Sequence, residues 1–185
     1  AETKRSDVIR RIANLPPEKR RLLEQKLKVL GFDSFVKQVI SRRPTGESGP
    51  LSFAQQRLWF LDQYTPNSSV YNVPSALQLK GPLEVAALEQ SLNEIVRRHE
   101  VLRTTFSMVG GEPVQVIAPS LTVLSIEDLT GCTEEESEEK VRQLVGEEAR
   151  QPFDLSEGPL FRSKLVRLGD EDHILLLTMH HIVSD

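Results

Sequence analysis

The 185 residues are 38% hydrophobic, 27% charged and 5% aromatic, and the ten glycines bring the apolar share to about 43%. That is too apolar for a disordered chain, and the length suffices for one cored domain. A single cysteine, Cys132, excludes an internal disulfide, no apolar run approaches the roughly 20 residues of a bilayer span, and four histidines (His99, His173, His180, His181) lack zinc-finger spacing. The net charge of −4 is unevenly divided: residues 1–50 hold 12 Lys/Arg against 6 Asp/Glu, residues 51–185 hold 11 against 21.

The basic head reads as short helices. Pro16 and Pro17 suit a helix start, Leu22, Leu23, Leu27 and Leu30 recur at helical spacing, and Gly31 supplies a stop. A second helical piece spans Asp33–Ile40. Residues 41–50, with Pro44, Gly46, Gly49 and Pro50 among polar neighbours, form the linker. The charge of the head suits a solvated helix, or a docking segment for an anionic partner. It is poor in the aromatic residues that nucleic-acid stacking sites use, so no nucleic acid is expected.

The body opens at Leu51. Ser52 followed by Gln55 fits a capping box for a helix over Phe53–Tyr64, ended by Pro66. Alternation of Val73, Ser75, Leu77 and Leu79 predicts a half-buried strand over Asn72–Leu79, turned at Gly81-Pro82. Leu88, Leu92, Ile95 and Val96 mark one face of a helix from Glu84 to His99. Strands over Arg103–Val109 and Val114–Ile117 flank a hairpin turn at Gly110-Gly111, and a further strand is expected over Leu121–Ile126. Glu134, Glu135 and Glu136 open a helix whose core face is Val141, Leu144 and Val145. Strands over Phe161–Leu168 and Asp172–Met179 follow, the second apolar on both faces and therefore central in its sheet. The fold class is α/β, an α+β sandwich with a mixed sheet covered by helices.

Chemistry concentrates directly after that central strand, in His180-His181-Ile182-Val183-Ser184-Asp185. A neutral imidazole accepts a proton near pH 7 and can assist an amine or hydroxyl attacking an acyl carbon. A nearby carboxylate can hold the loop. Read from these residues alone, acyl transfer, a metal pair with Asp185, and buried structural histidines all stay open. The metal reading is hindered because adjacent side chains on an extended chain face opposite ways.

Three ordered segments bear on that choice. Ser52-Phe53-Ala54-Gln55-Gln56-Arg57-Leu58-Trp59-Phe60-Leu61 resembles the first core motif of nonribosomal peptide synthetase condensation domains. Arg98-His99-Glu100-Val101-Leu102-Arg103-Thr104-Thr105-Phe106 is similar to the second, and His180 to Asp185 to the start of the third, HHxxxDG. Gln151-Pro152-Phe153-Asp154-Leu155 and Gly158-Pro159-Leu160 are also similar to the family, so the resemblance runs over residues 50–185. It implies a chloramphenicol-acetyltransferase-like fold of two lobes, with residues 51–185 as the N-terminal lobe behind a leader (1–40) and linker (41–50). It also implies amide formation by attack of a carrier-bound aminoacyl amine on a carrier-bound acyl or peptidyl thioester. No cofactor would bind directly, because the substrates ride on phosphopantetheine arms of carrier proteins. Upstream and downstream carriers, neighbouring synthetase domains and a C-terminal lobe would be the partners, in a cytoplasmic setting without membrane.

Carried over by position, His181 would be the catalytic or positioning base, His180 a supporting neighbour, and Asp185 a structural residue paired with an arginine. Ser52, Gln56, Arg57 and Trp59 would fix the first helix, Gln56 and Arg57 also serving a polar network or tunnel. Arg98, His99, Glu100 and Arg103 would be structural, at a helix end and strand start. Cys132 is expected to be a surface thiol. The sequence stops before the Gly of HHxxxDG, so this polypeptide alone is expected to be inactive. The competing readings are another HxxxD acyltransferase with a soluble acyl donor and a non-catalytic carrier-docking module.

Overall fold

A computed structural model of the protein describes residues 15–29, 48–119 and 124–184, in two compact units that divide between Glu47 and Ser48. In the first unit, helix α1 (Pro17–Val29) starts at the second proline, where the missing N–H is not needed. Leu30, the stop at Gly31, the helical piece over Asp33–Ile40 and linker residues 41–47 lie outside the described residues.

The second unit contains, in order, β1 (Gly49–Pro50), α2 (Phe53–Tyr64), β2 (Asn72–Lys80), α3 (Val85–Arg98), a 3₁₀ turn (Glu100–Arg103) and β3 (Thr104–Val109). Then follow β4 (Glu112–Ile117), β5 (Leu124–Asp128), α4 (Glu134–Arg150), β6 (Phe161–Arg167), β7 (Asp172–His180) and a second 3₁₀ turn (His181–Val183). Two sheets result among the described residues. A three-stranded antiparallel one has the order β1-β4-β3, and a four-stranded mixed one has the order β2-β7-β6-β5. Gly49–Pro50, read from sequence as the end of the linker, is thus a short strand, paired through Gly49↔Gln115 and Pro50↔Val114.

In the four-stranded sheet β7 is central, as its two apolar faces required, running antiparallel to both β2 and β6. Strands β5 and β6 are parallel, a pairing that needs a long crossover, and α4 supplies it. Helix α4 covers one face: Leu144 is buried with Leu129, Val166 and Leu176, against Val141, Val145 and Ile174. Helix α3 covers the other, where Leu92 and Val96 pack with Phe161, Leu177 and Met179. A third cluster joins α2 to the end of β7 through Leu51, Leu58, Phe106, Phe153, Leu155, Leu160, Ile182 and Val183, with Trp59 and Tyr71 beside it.

The β3–β4 hairpin closes through Val109↔Glu112, with Gly110 and Gly111 at φ 62° and 89°. Two successive positive φ values make the tight turn that matches strand twist and favours glycine. Arg103 departs from its expected strand position and ends the 3₁₀ turn. The strand expected over Leu121–Ile126 is described over Leu124–Asp128 and ends two residues later than expected. Strand β2 is less buried than its alternation suggested: Val73 and Leu77 are 43% and 46% exposed. It is an edge strand whose neighbour among the described residues is β7 alone, and Pro74, a poor ladder partner, suits an edge. No helix of the described residues is long and apolar enough to cross a membrane.

Candidate active site at the end of the central strand

The backbone of His180-His181 is clamped from both sides. The His180 N–H donates to the carbonyl of Leu160, just ahead of β6, at 3.0 Å, and the His181 N–H donates to that of Tyr71, just ahead of β2, at 2.8 Å. Each bond extends a ladder by one step beyond the strand. The chain then tightens into the 3₁₀ turn, with the Ser184 N–H donating to the His181 carbonyl at 3.2 Å and the Ser184 hydroxyl to the His180 carbonyl at 3.3 Å. Ile182 and Val183 anchor the turn in the core at 4% and 5% exposure.

The two imidazoles have opposite surroundings. His180 is 2% exposed, edge-on to Phe153 and tilted against Tyr71, with ring centroids 6.2 Å away in each case. Its Nδ1 accepts the Ile182 N–H at 3.1 Å, so that nitrogen carries no proton. Burial, and then the proximity of His181, push its pKa down to about 4, which keeps the ring neutral. His181 is exposed between buried neighbours. It lines a cleft of about 460 Å³, within the size range of small-molecule sites, together with Ser52, Gln55, Val101 and Ser184. Exposure on an anchored turn is what a group that must meet a substrate requires.

The first motif reaches this cleft through the amino end of α2. Ser52 is the N-cap, its hydroxyl accepting the Gln55 N–H at 3.2 Å while the Gln55 Oε1 accepts the Ser52 N–H at 2.9 Å. The Gln55 Nε2 also donates to the carbonyl of Ile182 at 3.5 Å. The Gln56 Nε2 turns back to donate to the Leu51 carbonyl at 3.2 Å, a contact within the start of the helix. Arg57 is exposed, and Trp59 is half-buried against the core.

The second motif contributes Val101 to the cleft, while its charged residues hold local structure. Arg98 ends α3 in an ion pair with Glu94 at 2.7 Å, and His99 terminates that helix with its N–H on the Ile95 carbonyl. The Arg103 guanidinium donates to the Ala118 carbonyl at 2.7 Å and lies 3.8 Å from Glu100. Asp185 lies outside the described residues. Gln55, Val101 and Ser184 join the site through the fold, with no local sequence signal that marks them as cleft residues. A larger cleft of about 820 Å³ between β2 and α4 includes the exposed Cys132, Lys80 and Arg142, and none of the histidines.

Behind His180, a cation supports the aromatic wall. Arg162 lies over the Phe153 ring at 3.8 Å, pairs with Glu148, and donates to the Gln151 carbonyl at 2.8 Å. Asn72 donates to the carbonyls of Ala149 and Gln151, both at 2.9 Å. The last turn of α4 is thereby tied to the strands that hold the histidines.

The Condensation domain family profile matches residues 47–185. One of the linear gramicidin synthase proteins of Brevibacillus parabrevis is 52% identical over 143 residues, 77% of this chain. Phosphinothricin tripeptide synthetase of Streptomyces viridochromogenes is 45% identical over 181 residues, 97% of this chain. The chain spans 2% and 17% of those two proteins. Among solved structures, the starter condensation domain of rhizomide synthetase superposes with a TM-score of 0.67 at 26% identity, over 74% of this chain and 33% of that one. The first condensation domain of the calcium-dependent antibiotic synthetase, in complex with a substrate analogue, does so with a TM-score of 0.65 at 27% identity, over 73% and 33%. With the family profile covering the whole of the second unit and the paired histidines presented at the end of its central strand, the chain belongs to the condensation-domain family of nonribosomal peptide synthetases.

Proposed function

We propose that this chain supplies the histidine-bearing lobe of a condensation domain that joins two carrier-bound groups through an amide bond. In that reaction the amine of an aminoacyl thioester attacks the thioester carbonyl of an acyl or peptidyl group. The C–N bond forms, the C–S bond breaks, and the proton lost by the amine ends on the departing thiol. Both substrates are held on phosphopantetheine arms, the acceptor carrier retaining the product.

His181 is the residue that meets the reacting amine. Its imidazole, standing in the cleft on a turn whose neighbours are buried, accepts a hydrogen bond from the amine N–H. Holding the nitrogen against the carbonyl lowers the barrier by orientation, and proton removal as the bond forms adds to it. His180 does not enter the reaction. It is neutral and buried, with its Nδ1 committed to the Ile182 N–H, and it shapes the turn that presents His181. Asp185 is assigned the structural role of its motif position.

The observation that carries this reading is the contrast within one dipeptide: His180 sealed and neutral, His181 exposed in the cleft. The test is single-turnover condensation by the complete domain with donor and acceptor carriers loaded. His181→Ala is expected to slow amide formation by about 100-fold or more with carrier binding retained. A rate within about twofold of wild type would remove His181 from the chemistry.

A further inference from the structure

We infer that Gln55 is a positioning residue for His181, acting through the main chain of the turn that carries it; this rests on the condensation reading above. The side-chain amide of Gln55 has two partners on different elements. Its oxygen accepts the Ser52 N–H at 2.9 Å, completing the capping box of α2, and its nitrogen donates to the Ile182 carbonyl at 3.5 Å. An oxygen facing a donor and a nitrogen facing an acceptor fix the orientation of the amide. A residue needed only as the third position of a capping box would require the oxygen alone, a task glutamate performs equally well. Glu136 does so at the start of α4, where its Oε2 accepts the Thr133 N–H at 2.8 Å. The second bond of Gln55 spans 127 positions and lands on the residue that follows His181.

The carbonyl it reaches matters to the site. The Ile182 N–H is held by the Nδ1 of His180, so the amide groups on both sides of residue 182 are tied down, one by His180 and the other by Gln55. Leu58, on the same helix as Gln55, shares the buried cluster with Ile182 and Val183, and Gln55 and His181 line the same cleft. The amino end of α2 is therefore the surface against which the histidine turn is set. Loss of the donor frees the turn while leaving the helix capped, and a misplacement of about 1 Å at a reacting group costs about 100-fold.

The two functions of the amide separate chemically, and that supplies the test. In the complete condensation domain, Gln55→Glu keeps the capping oxygen and lacks the donor, while Gln55→Met lacks both. Thr133→Ala, at a capping box remote from the motif residues, reports what loss of a cap alone does. Kinetics with loaded donor and acceptor carriers should show kcat falling about tenfold or more in both Gln55 variants, with each KM within about twofold. Gln55→Glu, which keeps the cap, should lose less in unfolding temperature than Gln55→Met, and Thr133→Ala should keep the wild-type kcat. Wild-type kcat in Gln55→Glu overturns the inference and leaves Gln55 as a helix cap, and so does a loss that appears only in Gln55→Met together with a lowered unfolding temperature. His181→Ala in the same assay separates this failure from failure of the functional reading: if it too keeps the wild-type rate, the condensation role of His181 is lost and the Gln55 inference with it.

Discussion

His180 and His181 are adjacent in the chain, and a ladder bond from each side of β7 sets them at the boundary between core and cleft. The pH dependence of stability follows from the buried one. The folded pKa of His180 is lowered to about 4, below the ordinary 6.5, so over that interval the unfolded chain binds more protons than the folded one. Stability contributed by the neutral ring is present above about pH 6.5 and is lost as pH falls toward 4. Thermal unfolding followed between pH 7 and 4 should show this decline, and His180→Asn should flatten it while lowering stability throughout. Gly158 offers a second test. It sits at φ +65°, and a Cβ there would stand 2.9 Å from the Thr105 Cγ2. Gly158→Ala is expected to cost about 2 kcal/mol in denaturant unfolding, from backbone strain and the clash together. At this scale the sequence was partly legible. The capping box of Ser52 and Gln55 could be read because both partners lie within one turn. The bond from Gln55 to Ile182 could not, because nothing local couples residues 127 positions apart.

Helix α4 shows how a locally encoded element is fixed in place. Thr133 and Glu136 cap its start reciprocally, which lowers the Glu136 carboxyl from its usual range, and Arg162 and Asn72 hold its last carbonyls. Between these ends Leu144, 4% exposed, packs on Val166 and Leu176. Leu144→Ala should cost about 3 kcal/mol by equilibrium unfolding, against about 1 kcal/mol for Thr133→Ala. A reversed order would mean that capping, and not burial, holds the helix to the sheet. Periodicity revealed α4, α3 and the centrality of β7, since a strand apolar on both faces needs cover on both. It misjudged β2: alternation of Val73, Ser75, Leu77 and Leu79 reports a side that can be buried, whereas burial depends on what flanks the strand. Gly49–Pro50 was equally illegible as a strand, because its partner β4 lies more than 60 positions away and supplies the whole reason for pairing.

Among the described residues, the second unit is two sheets and three α-helices arranged so that three short motifs, far apart in the chain, meet at one end of β7. The amino end of α2, Val101 and the histidine turn line one cleft. Charged residues of the second motif hold local structure and do not line it: Arg98 pairs with Glu94 on its own helix and Arg103 bonds the Ala118 carbonyl. The order of motifs was visible in the sequence, and their convergence is a property of the fold alone. We propose that this convergence serves to present His181 to a carrier-bound amine. Its most direct test is single-turnover amide formation by the complete condensation domain, wild type against His181→Ala, with both carriers loaded. The rate is expected to fall about 100-fold or more at unchanged carrier affinity; amide formation by the variant at the wild-type rate would exclude His181 from that role.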